Sequence, residues 1–256
     1  MNTVLAIPAH LGSKRLKQKL LINIEGLPII EHVRRRAILS KSFQKIYIIT
    51  PDLKIKRIIE SYGGSVILSK KKHNSGTSRV SEIIKNIPQS KIVILFGDEL
   101  LIDPKLLAKF AKAVSKDMKS DAWNATSCNL DNSDYFQNSV VKCLVNKRGY
   151  IKNLLRKINL RKINLSNQII LKSVGILAYK KNILEKLKLK KISKKEKLIK
   201  VEQIKIIENS FLLKSIPINF DFPSVNTKKE LKICIENLKN NKLQKKILKE
   251  CLNIKT

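Results

Sequence analysis

Three short stretches of the sequence gather groups suited to holding phosphate and a hard metal ion. The first is Pro8-Ala9-His10-Leu11-Gly12-Ser13-Lys14-Arg15-Leu16-Lys17-Gln18-Lys19, a polar loop directly after an apolar run. Loop N–H groups, the Ser13 hydroxyl and the cationic heads of Arg15 and Lys19 are the donors a triphosphate requires. The G-x-x-x-x-G-K-[ST] spacing of a Walker loop is absent, and a basic loop alone is weak evidence in so basic a chain. The second stretch, Phe96-Gly97-Asp98-Glu99, is an acidic pair closing Lys91 to Phe96, the most strand-like segment of the chain. Ligands of open α/β sheets bind beyond the carboxyl ends of the strands, so Asp98 stands where a phosphate-bound Mg²⁺ needs an oxygen ligand. A turn carboxylate capping the following segment is the plainer alternative, and the strand-end position favours the metal. The third, His73-Asn74-Ser75-Gly76-Thr77-Ser78-Arg79, is dense in hydrogen-bonding groups. A helix cap at Ser75 or Thr77 explains part of it, but a cap does not need Ser, Gly, Thr and Arg together; such a loop could read the edge of a pyrimidine.

These groups need a scaffold, and the apolar pattern supplies one. Strands are expected at Thr3 to Pro8, Lys45 to Thr50, Ser65 to Leu68, Lys91 to Phe96, Ser173 to Tyr179 and Phe211 to Ile218. Between them, helices are expected at Ile29 to Ser40, Leu53 to Tyr62, Val80 to Asn86, Pro104 to Met118 and Lys194 to Asn209, with one or two more from Lys228 onward. Near-continuous apolar strands alternating with helices predict an α/β fold, a mostly parallel sheet covered on both faces. The pattern changes from Asp121, with short apolar runs around Val140 to Val145, a turn at Gly149 and a basic stretch from Lys152 to Lys162. Residues 121–172 are therefore read as an insertion or subdomain within a single domain spanning 1–256.

Composition narrows the class. A chain of 256 residues, 43% hydrophobic, is long enough to bury its own core. The four cysteines, Cys128, Cys143, Cys234 and Cys251, show neither a C-x-x-C pair nor a histidine at metal-ligand spacing, which suits buried or idle thiols in a reducing compartment. The apolar start is interrupted at Pro8, and no apolar stretch approaches the roughly 20 residues needed to span a bilayer. A cytoplasmic protein with no membrane insertion is expected. The formal charge of +33 is read as a solvated surface rather than a nucleic-acid footprint. Lysine dominates throughout, and aromatics at 5% are too few for the basic-aromatic interleaving that stacks bases.

In order along the chain, Ile7-Pro8-Ala9-x-x-x-Ser13-x-Arg15-Leu16-x-x-Lys19 resembles the opening signature of the bacterial 3-deoxy-manno-octulosonate cytidylyltransferases, the CMP-Kdo synthetases. The register continues through Gly26-x-Pro28-Ile29-Ile30-x-His32-Val33, His73-x-Ser75-Gly76-Thr77-x-Arg79, Gly97-Asp98-Glu99, Val141-Lys142, Gly149-Tyr150, Gly175-Ile176, Glu202-Gln203 and Val225-x-Thr227. Any one match is weak, but the ordered set spans nearly the whole chain. The resemblance implies a nucleotide-diphospho-sugar-transferase-like fold and a homodimer built through the middle insertion. It also implies a Mg²⁺-dependent attack of a sugar acid's anomeric hydroxyl on the α-phosphate of CTP, serving lipopolysaccharide or surface-glycan synthesis. By carry-over, Ala9, Ser13, Arg15 and Lys19 hold the triphosphate, with Lys19, Arg15 and Asp98 the catalytic set. Ser75, Gly76 and Arg79 hold the cytidine, and Arg156, Ser173, Glu202 and Gln203 lie toward the sugar acid.

The chain departs from the pattern at specific positions. His10, counted among the nucleotide-binding positions, stands where the family has arginine, Gln18 where it has glycine, Phe96 where it has glutamine and Leu100 where it has proline. The family's Val-Asp-Thr, which supplies a second metal carboxylate, is Val225-Asn226-Thr227 here. An amide oxygen can ligate Mg²⁺, so the expected metal pair is Asp98 with Asn226, with Asp221 nearby in sequence as a substitute.

Overall fold

All six residues of the first strand, β1 (Thr3–Pro8), are buried, as expected of an aliphatic run covered on both sides. The computed structural model of the protein describes residues 3–158, 166–220 and 222–254. After β1 come a small hairpin, β2 (Asn23–Ile24) and β3 (Leu27–Pro28), then α1 (Ile29–Leu39), β4 (Ile46–Thr50), α2 (Leu53–Ser61) and β5 (Ser65–Leu68). The chain continues through α3 (Gly76–Glu82), β6 (Lys91–Leu95), α4 (Pro104–Lys116), β7 (Ala122–Ser127), β8 (Lys142–Asn146), β9 (Ile151–Leu155) and β10 (Gln168–Lys180). It ends with α5 (Lys181–Lys188), α6 (Lys194–Ile199), α7 (Ile204–Glu208), β11 (Leu213–Pro217), α8 (Lys228–Asn240) and α9 (Lys242–Leu252).

The main sheet runs in the order β11-β7-β10-β6-β1-β4-β5. β6, β1, β4 and β5 pair in parallel, as do β11 and β7, while β10 is antiparallel to both its neighbours. Alternate residues feed opposite cores. Leu5 and Ile7 join Val33 of α1, Ile55 of α2, Phe110 of α4 and Leu238 of α8. Val4 and Ala6 join Val80 of α3, Leu184 of α5 and Ile204 of α7. This is the mostly parallel sheet with helices on both faces, and it puts the ends of β1 and β6 side by side. Among the described residues no helix is long and apolar enough to cross a membrane.

Several elements differ from the sequence expectation. Helix α3 begins at Gly76 rather than Val80, because Ser75 takes an extended conformation and its side chain accepts from Ser78 N. A separate 3-10 turn covers Ile84–Asn86. The single helix expected from Lys194 to Asn209 is two, because Lys200 is left-handed at φ 56° and closes α6. That break carries Val201 to Gln203 toward the site. β10 is longer than expected: its first half pairs with β8 and its second with β6. Within 121–172, β7 belongs to the main sheet, and β8 with β9 forms an antiparallel hairpin off its path. The basic stretch beginning at Lys152 continues past residue 158 outside the described residues.

Candidate active site

The β1–β6 pairing delivers the basic loop to the acidic pair. Lys19 Nζ donates to Asp98 Oδ2 at 2.6 Å and to Asn226 Oδ1 at 2.9 Å, and Arg15 Nη2 donates to the same amide oxygen at 3.1 Å. Three segments far apart in sequence thus meet at one point. The loop reaches this geometry through Gln18, left-handed at φ 50°, the position where the resembled family has glycine. On the other side, Val225 N donates to Asp98 O at 2.9 Å, and Asn226 N donates to Glu230 Oε2 at 2.8 Å. Thr227 and Glu230 form a capping box that starts α8, so Asn226 is presented from a fixed helix entry.

The loop's own N–H groups are less open to phosphate than the sequence suggested. Ala9 N donates to Ile49 O at 2.9 Å, Leu11 N to Asp52 Oδ2 at 2.9 Å and Gly12 N to His10 Nδ1 at 3.0 Å. Anion binding here therefore falls mainly to side chains: Ser13, partly exposed, Arg15, exposed, and Lys19. Burial, together with the positive charge of Arg79, lowers the His10 imidazole below its ordinary range, so it sits neutral near the cationic loop.

The third loop docks against the first. A β-carbon at Gly76 would lie 2.6 Å from Phe96 Cε1 and 2.9 Å from Pro8 Cγ, so the backbone reaches the end of β1 only because residue 76 is glycine. Ser75 caps α3, the plainer of the two roles that the sequence allowed it. Arg79 is buried and donates to Ser69 Oγ at 2.7 Å, so part of its guanidinium already has a partner.

A cavity of about 660 Å³ opens beside Asp98 and Asn226, and Arg156, Ser173, Glu202 and Gln203 all line it. The four residues expected toward the sugar acid are thus brought together. Arg156 nonetheless donates to Asn138 O at 2.7 Å, Ile199 O at 2.7 Å and Lys200 O at 3.0 Å, which engages three of the five N–H groups a guanidinium carries. It acts as a strut between two walls as well as a cation at the cavity. Ser173 Oγ donates to Asn124 Oδ1 at 3.0 Å. Burial pushes the Glu202 carboxyl up, partly offset by the Ser75 hydroxyl.

Sequence reading left two residues at this site without a task. Lys142 is buried, with its ammonium on Gln137 O at 2.8 Å, Val140 O at 2.9 Å and Arg156 O, and desolvation depresses it to about 8. It appeared in the sequence only as part of Val141-Lys142. Glu99 is buried beside Asp98, and burial followed by repulsion from Asp98 raises it to about 7. Asp221 lies outside the described residues.

The donor set suits Mg²⁺. Asp98 Oδ2 and Asn226 Oδ1 converge on one cation, the Lys19 ammonium, and both are hard oxygens. Among the described residues no cluster of three His, Cys, Asp or Glu side chains could hold a metal alone, and substrate and water oxygens are the usual further ligands of this ion.

A model of the family described as cytidylyltransferase matches residues 4–216. The chain is 31% identical to the 8-amino-3,8-dideoxy-manno-octulosonate cytidylyltransferase of Shewanella pealeana, over 91% of this chain and 97% of the relative. It is 30% identical to the 3-deoxy-manno-octulosonate cytidylyltransferase of Thermodesulfovibrio yellowstonii, over 91% of this chain and 96% of the relative. A solved CMP:2-keto-3-deoxy-manno-octonic acid synthetase complexed with CTP superposes with a TM-score of 0.85 at 25% identity, covering 93% of this chain and 98% of the other. With the family model matched over residues 4–216, the chain belongs to the cytidylyltransferase family.

Proposed function

We propose that the protein uses CTP and Mg²⁺ to activate an eight-carbon sugar acid, 3-deoxy-manno-octulosonate or its 8-amino-8-deoxy counterpart, for lipopolysaccharide or surface-glycan synthesis. The observation that carries this reading is the meeting of Lys19 with Asp98 and Asn226, two residues that line the 660 Å³ cavity. The anomeric oxygen bonds to the α-phosphorus, the bond from that phosphorus to the bridging oxygen of pyrophosphate breaks, and the hydroxyl proton passes to solvent. Arg15 and Lys19 hold the phosphates and offset charge that develops on the leaving pyrophosphate. Asp98 and Asn226 hold Mg²⁺, which when bound supplies charge neutralisation at the phosphate oxygens. Ser75, Gly76 and Arg79 shape the nucleoside end, with His10 neutral beside them. Arg156, Ser173, Glu202 and Gln203 set the sugar in the cavity so that its hydroxyl meets the α-phosphate in line.

A homodimer formed through residues 121–172 is part of the same reading, supported by Phe136 and Ile169, which are 67% and 59% exposed there. Light scattering behind size exclusion tests it, and a monomer at working concentration removes it. The activity is tested by incubating the protein with CTP, Mg²⁺ and a panel of octulosonates, reading pyrophosphate and CMP-sugar. Products from at least one sugar are expected, and none across the panel and across other nucleotides sinks the reading. A second reading, a nucleotide-binding relative with impaired turnover, is favoured by one observation: two cations converge on the neutral amide of Asn226.

A further inference from the structure

The transfer scheme leaves one buried carboxylate beside the metal-facing oxygens without a part. Glu99 directly follows Asp98, is 3% exposed, and accepts a hydrogen bond at Oε1 from Ser224 Oγ at 2.6 Å. The neighbouring backbone makes a second tie, Val225 N to Asp98 O at 2.9 Å. At the other end of the segment, Asn226 N and Thr227 N each donate to Glu230 Oε2 at 2.8 Å. The chain from Ser224 to Thr227 is therefore fastened on both sides of Asn226. The seat for Glu99 is built into β10: a β-carbon on Gly175 would come within 2.1 Å of Glu99 Oε1. An apolar side chain would fill that space without the penalty of burying a carboxylate, but it would offer Ser224 no directional partner.

We propose that Glu99 is a positioning residue: through Ser224 it fixes where Asn226 Oδ1 stands relative to the Asp98 carboxylate, and so the spacing of the two oxygens offered to the metal. The proposal rests on the reading of Asp98 and Asn226 as the metal-facing pair. It assigns the second acid of Gly97-Asp98-Glu99 a role distinct from the first. Asp98 offers its oxygen where Lys19 and Asn226 meet, whereas Glu99 is bonded to Ser224 and acts through that segment.

The test uses the full chain and Mn²⁺ as probe, with its affinity read by electron paramagnetic resonance at saturating CTP and CTP affinity measured separately. Ser224→Ala removes the donor, Glu99→Leu removes the acceptor, and Ser224→Thr keeps the hydroxyl. Ser224→Ala and Glu99→Leu should each weaken Mn²⁺ binding about tenfold, the scale of one hydrogen bond, while CTP affinity stays within about twofold. The double variant should be no weaker than either single one, because both break the same tie. Ser224→Thr should return to the wild-type value. Unchanged Mn²⁺ affinity in both single variants overturns the proposal, as does loss of Mn²⁺ affinity, CTP affinity and thermal stability together. Failure of the wild type to bind CTP at all is a separate result: it removes the underlying reading, and the proposal with it.

Discussion

Lys19 Nζ lies 2.6 Å from Asp98 Oδ2 and 2.9 Å from Asn226 Oδ1, so a side-chain ammonium sits between the two oxygens proposed to hold the metal ion. The ammonium and a divalent cation cannot share that place. In the proposed reaction, phosphates held by Arg15 and Lys19 would give the ammonium an alternative partner and free the oxygens. Lys19→Met should therefore bind Mn²⁺ more tightly than wild type when no nucleotide is present, read by electron paramagnetic resonance. The same variant should lose about a hundredfold or more in kcat/KM with CTP, the scale of one lost charge-stabilising donor. Equal Mn²⁺ affinity in variant and wild type contradicts the competition.

Asn226→Asp restores a second carboxylate at a site where Arg15 and Lys19 already supply two positive charges. The half-saturating Mg²⁺ concentration should fall about tenfold, because a charged oxygen holds the ion more strongly than an amide. Steady-state kinetics against Mg²⁺ separate two outcomes. A change confined to the Mg²⁺ requirement fits an active enzyme adapted to Asn226. A rise in kcat of about a hundredfold, near 2.7 kcal/mol in barrier, establishes the impaired reading.

Gln18 holds a left-handed backbone at φ 50°, which costs a residue with a side chain about 1–2 kcal/mol relative to glycine. Glycine gives back part of this through the freedom of the unfolded chain. Gln18→Gly should stabilise the protein by about 0.5–1 kcal/mol, a rise of about 2 °C in Tm by calorimetry. A fall in Tm shows that the hydrogen bond from Lys54 to Gln18 Oε1, at 3.3 Å, outweighs the backbone strain.

His32 is fully buried, donates through Nε2 to Ile24 O at 2.7 Å, and is lowered by desolvation from 6.5 to about 4. The unfolded chain therefore binds a proton between pH 6.5 and pH 4 that the folded chain refuses, and stability falls as pH drops through that window. The full effect is about 3 kcal/mol. Glu99 works in the opposite sense, since its folded value of about 7 makes stability fall as pH rises from 4.5 toward 7. The quantity to read is the difference between wild type and His32→Gln in urea unfolding across this range. Wild type should lose its advantage over the variant on acidification, and a difference independent of pH contradicts a neutral buried His32.

Much of this arrangement was legible because strand ends carry chemistry. β1 and β5 have the expected limits, and Asp98 stands just beyond the end of β6, as its position in the sequence suggested. Adjacency of β1 and β6 then brings Lys19 to Asp98 across 79 residues. β7 was not legible, because Ala122-Trp123-Asn124-Ala125-Thr126-Ser127 is too polar to read as a buried run. Its Asn124 is buried by donating to Ala125 O and Val174 O, partners that only the folded sheet supplies. The helix break at Lys200 gave no signal either, since a lysine rarely takes a left-handed backbone. The bond between Ser224 and Glu99 joins residues 125 apart, and no local pattern marks it.

The most direct measurement is a crystal structure of the protein grown with CTP and Mg²⁺. Triphosphate should lie against Arg15 and Lys19, with one ion touching both Asp98 and Asn226 and the cytosine near Gly76. Nucleotide bound away from the β1 and β6 strand ends, or an ion that leaves Asp98 without contact, contradicts the enzyme reading.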